Sequence, residues 1–470
     1  MIHLNKSMTM KSIKYTILFS LLACTAALTG QEITTTETLP GELQINSITV
    51  EPAVMEFNFG RDYRQLRVTG QLESGQIADL TRMLSVPNTP QHVQISADGI
   101  VTPISIGQET VTLQFGKYSA TLAITVKALE QTTSSFINDV QPILAKMGCN
   151  AGTCHGSKDG KNGFKLSLRG YDPLYDHRAL TDDIGARRFN RAAPDQSLLL
   201  LKAIGAIPHV GGVRTTIDSR YYSIVRDWIT QGGGLDLDTQ KATSIEIFPK
   251  NPIIPRAGMK QQISVLATYP DGSIRDVTRE AFIESGNIEV IDADERGVLT
   301  LLRRGEGPVL VRYDGNYAAT TLTVMGDRAG FKWEKPKTQN YIDDLVYDKL
   351  ERVKILPADI CSDEDFVRRI YIDITGLPPT VAQVREFLES EQPTEQRRSN
   401  LIDQLVGSKE YIEHWTNRWA DLLQVNRKFL GEEGAVALRN WIKQSVAINK
   451  PYNQFAHEVL TANGSTLDNP

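Results

Sequence analysis

The chain is poor in cysteine, with four in 470 residues. That excludes a disulfide-stapled scaffold, which relies on dense and even cysteine sets. It also lacks an excess of positive charge. A net charge of -5 leaves no footing for a nucleic-acid partner held by counterion release. No stretch beyond the N-terminus has the 18 or so consecutive apolar residues that crossing a bilayer requires. There is no phosphate-binding glycine loop, no G-x-S-x-G elbow and no Ser-His-Asp signature. The composition is otherwise that of ordinary globular material, 41% apolar and 23% charged, at a length that implies about three or four domains.

The N-terminus has the order of an export signal. Lys6, Lys11 and Lys14 precede an apolar stretch, Tyr15 to Leu28, and small residues follow at Ala26, Ala27, Thr29 and Gly30. Residues 1–30 therefore read as a signal peptide, which places the protein in the periplasm, the cell envelope or the medium. Cys24 after Leu21-Leu22-Ala23 partly matches a lipobox, so a lipid anchor at Cys24 competes with simple cleavage downstream.

Beyond a Thr-rich linker, residues 41–128 alternate apolar and polar positions in short runs divided by turn residues. QLRVTGQL (65–72), ETVTLQF (109–115) and ATLAITV (120–126) are the clearest. The same order returns in residues 241–326. SITVEP (47–52) matches SIEIFP (244–249), and LRVTGQLESGQIADLT (66–81) matches ISVLATYPDGSIRDVT (263–278). This is an internal repeat of roughly 80 residues, each copy fitting a small β-sandwich. The opening S-I-x-[VI]-x-P, the middle D-[VL]-T and the closing alternating strand resemble bacterial immunoglobulin-like domains of group 2. The resemblance implies spacer or adhesion modules.

Residues 132–238, between the copies, are different. SFINDVQPILAKMGC, SLLLLKAI (197–204) and YYSIVRDWITQGG (221–233) have helical spacing, joined by Gly-rich connections. From 339 to 470 the chain is a run of seven or so amphipathic helical segments, several opened by cap residues such as Ser362 and Thr380. The expected architecture is thus multidomain: two all-β sandwiches, a mostly α domain between them, and an all-α C-terminal domain.

Without Cys24, three cysteines remain, and two of them fall within six residues: Cys149-Asn150-Ala151-Gly152-Thr153-Cys154-His155. In c-type cytochromes two thiols add across haem vinyl groups and the adjacent histidine ligates iron. The usual spacing has two intervening residues and this one has four, with Gly152 expected to let the longer loop fold back through a positive φ. The adjacency of histidine to the second cysteine is kept. Cys149 and Cys154 then hold the haem and His155 is an axial ligand. His209, in Ile207-Pro208-His209-Val210-Gly211-Gly212, is the candidate distal ligand, ahead of His177 and then Met147. Two other readings stand beside haem: a plain Cys149–Cys154 disulfide, and a zinc site built from Cys149, Cys154, His155 and one further histidine.

The run FINDVQPILAKMGCNAGTCHG, with GFKLSLRGYDP (163–173) and PHVGG (208–212), resembles the planctomycete cytochrome C domain family. CSDEDFVRRIYIDITGLPPT (361–380), WTNRWADLL (415–423) and N-K-P-Y-N-Q-F (449–455) resemble the planctomycete domain of unknown function that usually follows it. The resemblance covers nearly all of the mature chain. It implies a cytochrome-like domain with haem c attached through Cys149 and Cys154 and ligated by His155, and it implies no assigned reaction. Members usually continue into a further domain, so a chain stopping at Pro470 is expected to be a fragment or a shortened relative.

The remaining polar residues have blander readings. Cys361 precedes a helix N-terminus and reads as a half-buried cap-side thiol. Asp343, Asp344, Asp348, Glu364, Asp365, Arg368, Arg369 and Asp373 read as surface ion pairs rather than acid–base groups. Trp415 and Trp419 share a helix face and read as core. Three functions follow: an electron-transfer protein of the envelope with an unknown redox partner, a haem-free adhesion or structural protein with a Cys149–Cys154 staple and a cell-surface ligand, and an enzyme whose site lies in the helical domain.

Overall fold

The computed structural model describes residues 37–465 except Ser74, Gln131, Asp327 and Ala329. The export signal and Cys24 lie outside the described residues. The chain divides into two compact units, residues 1–332 and 333–470.

The first unit contains both β copies and the segment between them. In each copy the alternation seen in the sequence becomes a face that is buried and a face that is not. Along Gly107–Phe115, Val111 and Leu113 point inward while Thr112 and Gln114 do not, and the antiparallel partner Tyr118–Val126 buries Leu122, Ile124 and Val126. The second copy repeats the hairpin with Gly305–Tyr313 and Asn316–Val324. Its two-residue turn is Asp314-Gly315, with φ of 47° and 81°, the pair of positive angles that a tight turn matched to strand twist requires. In both copies the last strand also takes a short parallel partner, Val54–Phe57 or Ile253–Ile254.

The two copies do not stand apart. Asp79 Oδ2 accepts from the Gln262 backbone N–H at 2.6 Å, and Asp276 Oδ2 accepts from the Gln65 N–H at 2.6 Å. Asp79 and Asp276 occupy the same place in the repeat, and so do Gln65 and Gln262, so the clasp is reciprocal. Each aspartate's other oxygen is held by the threonine two residues on, through both its N–H and its hydroxyl. Each threonine oxygen in turn accepts a strand N–H, from Val68 or Val265. Apolar side chains of both copies, among them Met55, Leu113, Ile254 and Val311, form one continuous core.

The intervening segment packs its own core, with Phe136, Ile143, Leu144, Leu166, Leu180 and Trp228 at its centre. Trp228 donates to the Gly234 carbonyl at 2.9 Å. The three helices expected here are Gln141–Lys146, preceded by a π-helical turn Phe136–Val140, then Leu198–Ala203 and Arg220–Thr230. A further helix, Pro173–Thr181, lies where only connecting chain was expected. Asp172 caps it through the Tyr175 N–H at 3.0 Å, and Pro173 supplies a first position that needs no N–H partner.

This segment is tied to both copies. Arg61 donates to Ser134 at 2.9 Å, Arg275 pairs with Asp139 at 2.8 Å, and Arg220 pairs with Glu280 at 3.3 Å. Lys146 reaches out of its helix and donates to the carbonyls of Ala281 at 2.6 Å and Glu295 at 2.7 Å. Burial draws its ammonium down from 10.5 to about 8. Glu295, Glu280 and Asp294 oppose that shift, and Arg279 adds to it. A depressed folded-state value contributes stability that is full above 10.5 and lost as pH falls through about 8. Relative to Lys146→Met, the wild-type protein is therefore expected to gain on the order of 3 kcal/mol between pH 7 and pH 10.5. Urea unfolding of both proteins at the two pH values checks this, and an unchanged difference would contradict it.

The second unit is all helical. Its helices are Tyr341–Arg352, Asp363–Thr375, Val381–Leu388, Thr394–Leu405, Lys409–Leu422, Arg427–Ala447 and Tyr452–Thr461. Ser362 and Thr380 cap as expected, Thr380 in a full capping box with Gln383. Val367, Tyr371, Phe387, Leu401 and Leu405 form its core. Trp419 packs on Phe455 with ring centroids 5.0 Å apart, and Trp415 donates to the Ile374 carbonyl at 3.2 Å, in keeping with the packing role read from their spacing. Asp363 is bracketed by Arg397 and Arg398, and Arg398 also donates to the Cys361 carbonyl at 2.8 Å. Among the described residues, no helix is long and apolar enough to cross a membrane.

Candidate functional site

The helix that leads into the cysteine segment ends at Lys146, and Gly148 just past its Met147 cap has a φ of 76°, the left-handed conformation that closes a helix. Cys149 N–H still reaches back to the Leu144 carbonyl at 2.9 Å. The chain then coils through successive turns until the His155 N–H donates to the Cys149 carbonyl at 3.0 Å. That bond closes the seven-residue span from Cys149 to His155, so the long spacing is taken up locally. The glycine that permits this is not Gly152, whose φ is not among the positive ones. It is Gly156, where an added Cβ would stand 2.0 Å from the Asn150 carbonyl oxygen. The close approach of two backbone segments, rather than a left-handed angle, is what the loop demands.

Cys149, Cys154, His155 and His209 line one cavity of about 700 Å³. Its walls are largely apolar, with Phe164, Leu166, Leu198, Leu199 and Ala203. His155 Nδ1 lies 3.1 Å from the Phe164 carbonyl, and His209 Nδ1 lies 2.8 Å from the Gly212 carbonyl. A carbonyl only accepts, so in both rings the proton sits on Nδ1 and the Nε2 lone pair is left available. The rings are parallel within 6° and their centroids are 6.4 Å apart. Backbone partners fixing the tautomer of metal-binding imidazoles are the usual outer support of such ligands.

The electrostatics point the same way. Burial lowers the His155 pKa, opposed by its bond to Phe164 and reinforced by His209, Arg188 and Lys161, so the neutral ring is favoured. Burial pushes the Cys149 thiol up to about 12, with Arg214 acting against it. The Phe164 ring lies 4.5 Å from His155, and the Arg188 guanidinium lies over the Phe164 ring at 4.3 Å while donating to the Ala179 and Gly163 carbonyls. Phe164 and Arg188 thus hold His155 in place. Neither was singled out from the sequence, because nothing in their spacing to the motif marks them.

The other histidine and methionine candidates lie elsewhere. His177 uses Nε2 on the Gly233 carbonyl at 2.8 Å and packs against Phe136 and Trp228. Met147 is buried in the segment's core. Among the described residues no group of three or more His, Cys, Asp and Glu side chains could hold a metal ion, so the arrangement does not form the zinc site considered above. Cys149, Cys154 and Cys361 are free thiols. The residue types present are those a haem needs: two thiols and two imidazoles on one wall, apolar side chains around them, and cations on the same lining.

The family described as "PSCyt2: Protein of unknown function (DUF1549)" matches residues 341–469, the helical unit, and encloses the stretches at 361–380, 415–423 and 449–455. No curated protein matches. Among solved structures, the chain is similar to surface layer protein SbsC domains 1–6 (10% identity, TM-score 0.17, 60% of this chain and 28% of that one). It is also similar to SbsC domains 5–6 (10%, 0.24, 60% and 99%) and to Drosophila OTK extracellular domains 3–5 (6%, 0.13, 60% and 63%). The chain thus spans less than a third of the length of the first of these. Scores this low fix neither fold nor function.

Proposed function

We propose that residues 132–238 form a c-type haem domain in an exported envelope protein, and that the protein transfers electrons. Cys149 and Cys154 would hold the haem by thioether bonds, and His155 and His209 would ligate its iron. The observation that carries the reading is the pair of parallel imidazoles, each with its Nδ1 proton committed to a backbone carbonyl. When bound, the haem supplies a one-electron couple. The chain's own part is to orient the two rings through their carbonyl bonds, favour the neutral form of His155 by burial, and line the cavity with apolar side chains. The export signal read at residues 1–30 places the thiols outside the reducing cytosol, and the two β copies read as immunoglobulin-like modules of the cell envelope that brace the haem segment.

A pyridine haemochrome spectrum tests this on the full chain, exported with cytochrome c maturation. The expected result is a c-type signal that resists acid-acetone extraction and is absent from a Cys149→Ser/Cys154→Ser variant. A colourless wild-type protein would overturn the reading and leave the haem-free adhesion protein with a Cys149–Cys154 disulfide.

A further inference from the structure

Five cationic side chains line the cavity, Lys161, Arg187, Arg188, Lys202 and Arg214, and no carboxylate does among the described residues. Two of the five are engaged. Arg188 donates to two carbonyls and covers Phe164, and Lys202 donates to the Pro208 carbonyl at 2.5 Å. Arg214, Arg187 and Lys161 have no ion pair among the described residues.

Arg214 is the best placed of the three. Its backbone N–H is fixed to the Ala203 carbonyl at 2.7 Å. Its guanidinium lies beside both loops that build the site. Nη1 is 3.9 Å from where a Cβ on Gly148 would stand, and Nη2 is 3.4 Å from where one on Gly211 would stand. Gly148 adjoins Cys149, and Gly211 is two residues past His209. The guanidinium thus lies beside the backbone of both loops, on the cavity lining. Arg214 is exposed to solvent and has no ion pair among the described residues, and a guanidinium on the lining of a largely apolar cavity is matched by a carboxylate received through two parallel hydrogen bonds.

We infer that Arg214 is the anion anchor of this cavity, selecting a ligand with a large apolar body and a carboxylate at its edge, with Arg187 and Lys161 able to take a second carboxylate. The inference rests on the haem reading of the same cavity and adds what that reading leaves open: which side chain would orient the ring, with the expectation that a diacid binds ahead of a neutral ring.

The test uses the full chain as Cys149→Ser/Cys154→Ser, so that binding is reversible, titrated with ferric protoporphyrin IX and with its dimethyl ester and read by the shift of the Soret band. This parent is expected to bind the diacid roughly fivefold or more tighter than the ester. Arg214→Gln is expected to bring that ratio towards one without changing ester affinity, and Arg214→Lys to keep part of it. Unchanged ester binding shows that the variants are folded. A parent with no preference, or an Arg214→Gln variant that keeps it, overturns the anchor. A wild-type chain that takes up no covalent haem overturns the haem reading itself, whatever Arg214 does.

Discussion

Changing Asp79 and Asp276 to alanine together is expected to cost residues 37–332 about 6 kcal/mol, and either change alone about 3 kcal/mol. Each aspartate satisfies a buried N–H of the opposite copy and a buried N–H and hydroxyl of its own. Alanine leaves those donors without a partner in a site that water does not reach, at roughly 1–3 kcal/mol for each orphaned group. Against a typical domain stability of roughly 5–15 kcal/mol, the double change takes the unit to the edge of unfolding. Urea unfolding followed by Trp228 fluorescence measures it, and a loss below about 1 kcal/mol for the double variant would contradict the clasp, being no more than an ordinary point substitution costs. The two aspartates differ in one respect. Arg82 pairs with Asp79 at 2.9 Å, whereas its counterpart in the repeat, Arg279, pairs with Asp98 at 2.6 Å. Burial raises the Asp276 pKa despite its hydrogen bonds. A raised folded-state value gives stability that is present at acid pH and lost as pH rises through it. The penalty of Asp276→Asn is therefore expected to be smaller at pH 7 than at pH 4.

The clasp shows where sequence reading reaches its limit. The repeat itself was legible because side chains alternate, and so was the D-[VL]-T signature in each copy. What the aspartates grip is a backbone N–H, which nearly every residue carries, so nothing in Gln65 or Gln262 announces a partner 211 or 183 residues away. The same holds within the site. Cysteine and histidine declared themselves by type and spacing, and His209 by its Pro-Gly surroundings. The carbonyls of Phe164 and Gly212 that set both tautomers have no side-chain signal. Gly152 attracted attention as the glycine inside the motif, yet the close contact falls at Gly156 just outside it. A glycine needed for approach rather than for a positive φ is identified only by what stands opposite. His177 shows the converse: a histidine at a plausible distance along the chain was spent on packing against Trp228 and on the Gly233 carbonyl.

The two histidines are expected to fail differently when removed. On the proposed haem reading, His155→Ala should lower the yield of covalently held haem more than about tenfold, since it removes the proposed ligand beside Cys154 and leaves the Phe164 carbonyl and ring with nothing to orient. His209→Ala should leave covalent attachment intact, because neither thiol depends on it. Its loop is built on its own turn, His209 Nδ1 to the Gly212 carbonyl and the Gly212 N–H back to the His209 carbonyl at 2.9 Å, so truncation of the ring disturbs little else. What it should change is the sixth position. On the same reading the variant is expected to show a high-spin absorption spectrum and to bind added imidazole or carbon monoxide more readily than the wild-type protein. Haemochrome yield and ligand titration of the two variants separate these outcomes. A His209→Ala spectrum identical to wild type would remove His209 as a ligand while leaving Cys149, Cys154 and His155 in place. Equal loss of haem from both variants would mean that the two rings hold the cavity together rather than dividing its work, and the parallel imidazoles would then be a packing arrangement with no division into attaching and distal sides.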